Sequence, residues 1–229
     1  MLMEKSFIPV PIDFTNTVLH IASALKVRNL CVVGGAVRDC VLGKLSGTNT
    51  KPKDLDVILS APLIHPEKNR NIIGMRENSL GGKKLYIKNF GTVDVFQQYT
   101  ENPETIIANY FDFNCNSLYY RTCDNTIQPS AFFLEFLESQ TIREQNMAYT
   151  DGGVNGMYGV PQTIMRALKF QIQFAEKYNF KTDLSDDLLY QIYHMKTADE
   201  KAMKKYMASH VVDKQLQQKI LENYQNIRG

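Results

Sequence analysis

The stretch of sequence that decides the fold is LCVVGGAVRD, residues 30–39, which is followed by the acidic stretch KDLDV, residues 53–57. The apolar run at its start is typical of a buried strand, and Gly34 and Gly35 separate that run from a segment that can form a helix until Gly43 stops it. A helix N-terminus behind a glycine turn presents backbone N–H groups that bind phosphate. A tight turn that needs glycine for steric reasons alone is the alternative explanation.

The acidic stretch predicts a carboxylate pair on a strand. Because side chains alternate between the two faces of a strand, Asp54 and Asp56 project from the same side, roughly 7 Å apart. Such neighbouring charges are unfavourable unless a cation neutralises them, and two Mg²⁺ ions about 3.5–4 Å apart would do so. We expect Asp94, in a predicted strand over residues 92–96, to lie beside them through antiparallel pairing. The alternative is a solvent-exposed strand face and an unrelated surface aspartate.

The composition is that of an ordinary globular protein. The chain has 229 residues, 44% of them hydrophobic and 22% charged, with a formal net charge of +2. These values allow one generous core or two small ones and exclude a strongly basic nucleic-acid coat protein. The cysteines form no Cys-x-x-Cys pair and the histidines are scattered, so no zinc site is expected. Without a long apolar run or a targeting pattern, we expect reduced thiols, a cytoplasmic location and no membrane partner.

The remaining pattern predicts an α+β head followed by helices. Helical spacing of apolar residues predicts helices over residues 13–27, 69–75, 103–109 and 132–144. Strands are predicted over residues 84–88 and 92–96, and a hairpin over residues 117–121 and 126–128. A glycine-rich break at residues 151–156 precedes a segment that is helical throughout from Pro161. We therefore expect a head domain at residues 1–145 and a helical neck domain at residues 146–229.

Several of these motifs together resemble a known family. The motifs are GGAVRD at residues 34–39, VLG at 41–43, DLD at 54–56, DFNCNSLYY at 112–120 and RALKF at 166–170. In this order they resemble the polymerase-β-type nucleotidyltransferases, and most closely the head and neck of bacterial CCA-adding tRNA nucleotidyltransferases and poly(A) polymerases. The resemblance implies a polymerase-β-like head with a mixed β-sheet, followed by a small helical neck.

The same resemblance implies a role for each matched residue. Asp54, Asp56 and Asp94 would be the catalytic, metal-coordinating acids of a two-metal Mg²⁺ site. The nucleotide-binding residues would be Gly34, Gly35, Arg38, Asp39, Asp112, Asn116, Arg166 and Lys169. The donor would be an NTP, namely ATP or, as a second expectation, CTP. It would transfer its nucleotidyl group to a hydroxyl of an RNA acceptor, with tRNA as one candidate. From the residues alone, Arg38 has two options: a triphosphate oxygen or a pair with Asp39.

The sequence departs from the family pattern at five positions. Tyr110 and Phe111 stand where the family has two arginines before the DFNCNSLYY motif. Gly159, Val160 and Thr163 stand where the family has the Glu-Asp-x-x-Arg side chains that select the base. None of the three can form the expected amide-like pairing with a base edge, so selection of C and then A by this route is not expected.

Two alternatives remain open at this stage. The same chemistry can modify a protein or a small molecule instead of RNA, and the changed base-selecting positions and the short helical region keep that alternative open. The chain can also be a non-catalytic nucleotide- or RNA-binding module, against which the three retained acids argue. Lys83, Lys84 and Lys88 flank the strand before Asp94 and are either phosphate guides or solvated lysines.

Overall fold

The structure, a computed structural model, describes residues 8–78, 82–100, 102–145 and 159–229 of the chain, and the side chains of residues 97 and 98 are outside this description. The chain divides into two compact units. The first consists of Met1–Phe111 and Asn116–Phe133, and the second of Asp112–Cys115 and Leu134–Gly229. The predicted glycine-rich break at residues 151–156 lies outside the described residues.

The first unit is built on a seven-stranded mixed sheet with the order β3-β4-β5-β2-β1-β6-β7. The strands are β1 Cys31–Val33, β2 Asp54–Leu59, β3 Ile72–Glu77, β4 Lys83–Ile87, β5 Gly91–Tyr99, β6 Leu118–Arg121 and β7 Thr126–Pro129. All neighbours pair antiparallel except β2 and β5, which are parallel. The predicted hairpin of β6 and β7 is confirmed.

The prediction that the Asp94 strand pairs antiparallel with the Asp54–Asp56 strand was wrong, because β5 runs parallel to β2. The physical reason is the connection between them. It contains β3 and β4 and so is long enough for the chain to cross back and re-enter the sheet in the same direction. The antiparallel neighbour of β5 on its other side is β4, to which a short turn joins it.

The helices of the first unit are α1 Ile12–Leu25, α2 Gly35–Ser46 and α3 Pro103–Tyr110, and α4 Ala131–Ser139 begins in this unit. The prediction that Gly43 stops this helix was wrong, because α2 continues through Gly43 to Ser46. A β-carbon on Gly43 would lie 2.6 Å from the Thr48 carbonyl oxygen. Gly43 is therefore required for the close return of the chain over the helix, rather than for helix termination.

The segment between β2 and β4 contains a strand where a helix was predicted over residues 69–75. A short 3₁₀ helix at Pro66–Lys68 precedes β3. The side-chain oxygen of Asn69 accepts a hydrogen bond from the Asn71 backbone N–H at 3.0 Å, which forms a turn directly before the strand. This local hydrogen bond competes with helix formation, and β3 then pairs with β4.

The second unit is mainly helical. Its helices are α5 Val160–Tyr178, α6 Asp186–Tyr193, α7 Thr197–His210 and α8 Lys214–Arg228. A small parallel pair, β8 Thr141–Ile142 and β9 Asp183–Leu184, interrupts the predicted all-helical pattern. The predicted helix over residues 132–144 ends early at Ser139, because Gln140 takes a positive φ of 53° and its carbonyl accepts the Asp183 N–H. The core contains the aromatic rings of Phe113, Phe136, Phe170 and Phe174.

Across residues 8–78, 82–100, 102–145 and 159–229, every helix is too short or too polar to cross a lipid bilayer.

Candidate active site

The predicted acids lie on one face of the sheet in the first unit. In the parallel pairing of β2 and β5, Asp56 is directly opposite Asp94 and Asp54 is opposite Thr92. Neighbouring strands lie about 4.8 Å apart, and residues in the same register point to the same side. Asp54 is exposed, and Asp56 and Asp94 are half-buried. The fold therefore brings the three carboxylates to one partly open sheet face.

The alternation of buried and open positions explains why the acids share this face. The side chains next to the acids on β2 and β5, and Leu85 on the neighbouring β4, are almost fully buried on the opposite side; those of β2 and β5 are Leu55, Val57, Val93 and Val95. A shift of one residue in any of these strands would bury its polar side chains and expose its apolar ones, so the core fixes the register. Hydrophobic packing on one face thus determines where the carboxylates lie on the other.

The glycine turn between β1 and α2 lies beside Asp56. Gly34 has φ of 68° and ψ of −136°, a conformation that other residues rarely adopt, and α2 begins at Gly35. A β-carbon built on Gly34 would lie 3.2 Å from Phe111 Cε1 and 3.5 Å from Asp56 Oδ2. Both its φ and this close approach therefore require glycine at position 34. The turn places the N-terminus of α2, with its unsatisfied first-turn N–H groups, next to the carboxylates.

Arg38, in the first turns of α2, is held by two polar partners. Its Nε and Nη2 donate to Asp39 Oδ1 at 2.8 and 2.6 Å, and its Nη1 donates to Asn116 Oδ1 at 2.6 Å. The Arg38 side chain is only 9% exposed, so these partners compensate a charge that is nearly removed from water. The predicted pair of Arg38 with Asp39 is present in the structure. Arg38 thus ties α2 to Asn116, two residues before β6.

Asp94 has two polar partners that the sequence did not predict. Lys84, directly opposite it in β4, places its Nζ 2.7 Å from Asp94 Oδ2. Asn78 Nδ2 donates to Asp94 Oδ1 at 3.4 Å. Lys84 was interpreted only as a phosphate guide or a solvated lysine. The signal that would have found the pair is the register of the β4–β5 hairpin, whose three-residue turn lies one residue earlier in the chain than predicted.

The donor set of this face suits a hard divalent cation. Asp54 and Asp56 offer carboxylate oxygens from one side of one strand, which is the ligand chemistry of Mg²⁺. In the described part of the chain, no group of three or more His, Cys, Asp or Glu side chains is arranged to hold a metal ion. Asp54 and Asp56 on β2 and Asp94 on β5 are the carboxylates that would hold a cation.

Thiol chemistry is not supported at the two cysteines of the first unit that are nearest to these motifs. Burial raises the pKa of the Cys31 thiol to about 12 and that of the Cys40 thiol also to about 12. The thiolate is the nucleophilic form, so at neutral pH both side chains remain protonated and unreactive.

The second unit contains the remaining predicted residues, Asp112, Arg166 and Lys169. Arg166 Nε and Nη2 lie 2.7 and 2.6 Å from the same oxygen of Asp112, Oδ2. The Arg166 guanidinium also lies over the Phe170 ring, 5.7 Å from its centre. Lys169 is half-buried on the same helix, α5. Asp112 and Arg166 are thus paired with each other within this unit.

Asn114 fixes the short segment that carries Asp112. The Asn114 side chain is 1% exposed, donates to the Thr141 carbonyl at 2.9 Å and accepts the Arg143 N–H at 3.0 Å. Sequence reasoning assigned Asn114 no role of its own. Its position in the DFNCNSLYY motif is explained by these hydrogen bonds, which hold the segment beside Thr141 in β8 and Arg143 directly after that strand.

The positions that correspond to the base-selecting residues of the CCA-adding family lie at the start of α5. Gly159 is the N-cap residue of the helix, and Val160 is its first residue. Thr163 is 3% exposed, and its backbone N–H donates to the Gly159 carbonyl at 3.2 Å. The residue at the position of the family's arginine is thus a small side chain packed in the core of the second unit.

Comparison with known proteins gives a likeness of fold. No protein-family model matches the sequence, and no curated protein matches it. Among solved structures, a tRNA-processing enzyme in its apo form superimposes with a TM-score of 0.63 at 19% identity, covering 97% of this chain and 59% of that one. The Thermotoga maritima CCA-adding enzyme complexed with tRNA gives 0.62 at 16% identity, covering 98% of this chain and 55% of that one.

The chain has a nucleotidyltransferase fold like that of the CCA-adding enzymes. A third structure, a CCA-adding enzyme complexed with ATP, agrees, with a TM-score of 0.63 at 14% identity and coverage of 98% of this chain and 55% of that one. The predicted resemblance and the predicted α+β class with a polymerase-β-like head are confirmed at the level of the fold. The chain spans 55–59% of the length of these three CCA-adding and tRNA-processing structures.

Within this CCA-adding-enzyme-like fold, the predicted site residues form two groups. The first unit brings together the acids and the turn: Asp54, Asp56, Asp94, Gly34, Gly35, Arg38, Asp39 and Asn116. The second unit contains Asp112, Arg166 and Lys169. The catalytic and nucleotide-binding roles of all these residues remain predictions.

Proposed function

We propose that this protein is a Mg²⁺-dependent nucleotidyltransferase that transfers a nucleoside monophosphate from an NTP to a hydroxyl at an RNA 3′ end. The observation that carries the proposal is the position of Asp56. It lies beside the Gly34 turn at the N-terminus of α2 and opposite Asp94 on a partly open sheet face. Carboxylates for a cation and backbone N–H groups for phosphate are what phosphoryl transfer requires at one place.

We propose a separate role in the reaction for each group of residues in the first unit. Asp54 and Asp56, with Asp94 as third ligand, would hold Mg²⁺, which when bound activates the attacking hydroxyl and neutralises charge on the phosphates. The first turn of α2 orients the triphosphate through its N–H groups and the positive end of the helix dipole. Arg38 and Asn116 keep α2 in place through their 2.6 Å hydrogen bond.

The proposed substrates are supported by the ligands with which proteins of similar fold have been solved. CCA-adding enzymes with this fold have been solved with ATP and with CTP, and one with tRNA. We propose ATP as the nucleotide donor, CTP as the second donor to be tested, and an RNA 3′ end, with tRNA as the first candidate, as acceptor. In the second unit, Asp112, Arg166 and Lys169 are proposed to contact the nucleotide.

The choice of base is proposed to depend on residues other than positions 159, 160 and 163. Thr163 is buried among the core residues of its unit and is too short to replace an arginine. With no side chain of the Glu-Asp-x-x-Arg type at these positions, we expect weaker discrimination between ATP and CTP. One pocket contact is worth about 1–3 kcal/mol, so its loss lowers discrimination by about tenfold or more.

The test supplies the protein with Mg²⁺ and each α-labelled NTP in turn, with total RNA or total protein as acceptor. We expect label on RNA, its loss on addition of a chelator, and its loss in the double variant Asp54→Asn, Asp56→Asn. Asp13→Asn, which changes an acid in the first turn of α1, is the matched control and should retain labelling. Label on protein alone would replace the RNA acceptor by a protein hydroxyl. Labelling that the double variant retains would refute the proposed acids.

A further inference from the structure

The sheet face that carries Asp54, Asp56 and Asp94, here called the acid face, also carries one ion pair that has no role in the proposed reaction. Lys84 and Asp94 face each other in the antiparallel pair of β4 and β5, with Nζ 2.7 Å from Oδ2. Their side chains are 24% and 17% exposed, so water screens the pair less than an ion pair on the open surface. Because Asn78 donates to Oδ1, both carboxylate oxygens of Asp94 have a polar partner.

The register explains why a lysine at this position matters. Asp54 and Asp56 on β2 and Asp94 on β5 project from the same face, and like charges in such proximity raise the free energy of the folded chain. The ammonium of Lys84 comes from the strand on the far side of β5 and compensates one of these charges. The three acids can therefore coexist on the sheet before any metal ion binds.

We propose that Lys84 is the charge-compensating residue of the acid face, which holds Asp94 in the metal-free protein and competes with a divalent cation for that carboxylate. The inference rests on the proposed function only in assuming that these acids bind a metal. A lysine suits this role because its ammonium is a point charge on a flexible stem and can swing away, whereas an arginine would hold the carboxylate through two parallel hydrogen bonds.

The consequence is a cost of metal binding at Asp94. Asp94 becomes a ligand only after Lys84 has moved, so the affinity for the cation is lowered by the strength of the ion pair. Removing the ammonium should raise that affinity, and removing Asp94 as well should abolish the gain.

The test is a titration of the full chain with Mn²⁺, without nucleotide or acceptor, followed by the EPR signal of free Mn²⁺. Lys84→Met should bind Mn²⁺ about three- to tenfold more tightly than the wild type, the scale of one partly shielded ion pair. Lys84→Gln is the second neutral variant and should behave in the same way. Lys83→Met removes an exposed lysine from the neighbouring position and should leave the affinity unchanged. Lys84→Arg keeps the charge and can hold the carboxylate through two hydrogen bonds, so it should bind Mn²⁺ no more tightly than the wild type.

A double-mutant cycle separates competition at Asp94 from a general effect of charge. In an Asp94→Asn background, Lys84→Met should change the Mn²⁺ affinity by less than about twofold, because the carboxylate under competition is gone. An equal gain in both backgrounds, or folded Lys84→Met and Lys84→Gln variants with wild-type or weaker affinity, would overturn the proposal. Absence of nucleotidyl transfer would refute the proposed function and leave this titration unaffected, so the two failures are distinguishable.

Discussion

The acid face of the first unit and the start of α5 in the second unit both resemble motifs of the CCA-adding nucleotidyltransferases, but the resemblance differs between them. On the acid face, the acidic residues of those motifs are present: Asp54, Asp56 and Asp94, beside the Gly34 turn. At the start of α5, the residues that pack remain, whereas the three base-selecting positions are small or apolar. Under the proposed function, phosphate transfer and nucleotide choice depend on separate parts of the chain and can change independently.

In the first unit, the largest loss of stability is expected from Gly34→Ala. The substitution forces a β-carbon into a backbone conformation with φ of 68° and to within 3.2 Å of Phe111 Cε1. We expect the free energy of unfolding to fall by about 2–3 kcal/mol, the cost of one strained residue, and nucleotidyl transfer to fall with it. Chemical denaturation measures the first. Gly35→Ala is the control, because its β-carbon would meet Arg38 Nη2 at an ordinary 3.5 Å; equal losses in both variants would contradict this account.

A somewhat smaller loss is expected from Arg38→Met. The variant removes the donors to Asp39 and to the buried side chain of Asn116, so the first unit loses the link between α2 and the segment before β6. Leaving such polar groups without this partner costs about 1–3 kcal/mol in unfolding free energy. Thermal melting of Arg38→Met against Arg38→Lys, which keeps the charge, checks it. An unchanged melting temperature in Arg38→Met would show that the hydrogen bonds of Arg38 do not stabilise this unit.

The start of α5 can be tested with a pair of variants at Thr163. Because this side chain is 3% exposed, Thr163→Val should cost at most about 1 kcal/mol and should not alter the ratio of ATP to CTP transfer. Thr163→Arg, which restores the family residue, should destabilise the second unit by about 3 kcal/mol or more, because it places a charge in the core. If Thr163→Arg instead folds normally and sharpens the choice between ATP and CTP, the comparison between the two regions fails.

The smallest effect concerns the thiols. Cys31, Cys40 and Cys115 are buried, whereas Cys123 is exposed. Burial raises the pKa of Cys31 and of Cys40 to about 12, so neither provides thiolate at pH 8. A thiol reagent should therefore modify the native protein at Cys123 alone, and Cys123→Ser should abolish rapid modification. Rapid labelling of Cys40 would show that α2 does not pack on the sheet as described.

The sequence predicted the local features of the acid face and missed those that depend on long-range pairing. The strand, the Gly34 turn and the two acids of β2 follow from local patterns of apolar residues, glycine and alternation. The parallel direction of β5 does not, because it depends on β3, whose turn at Asn69 looked like part of a helix. The early end of α4 depends on a hydrogen bond from Asp183 to the Gln140 carbonyl, far apart in the sequence.

The partners of the charged residues could not be predicted from the sequence either. That Lys84 faces Asp94 follows only from the register of a hairpin, and a one-residue error in the turn removes it. Likewise, the sequence left Arg38 with two possible partners, and the fold brings Asn116 to it as a third. Motifs thus predicted which residues gather at the candidate site, and packing decided how their charges are compensated.

The central claim is that the acid face performs nucleotidyl transfer, and single-turnover transfer of labelled AMP by Asp56→Asn tests it most directly. Compared with the wild type at saturating Mg²⁺ and ATP, we predict a rate reduced by about 10³-fold, since loss of a metal ligand removes several kcal/mol of transition-state stabilisation. The melting temperature should be unchanged, and Asp13→Asn should keep its rate. A folded Asp56→Asn protein that transfers AMP at the wild-type rate would contradict the claim.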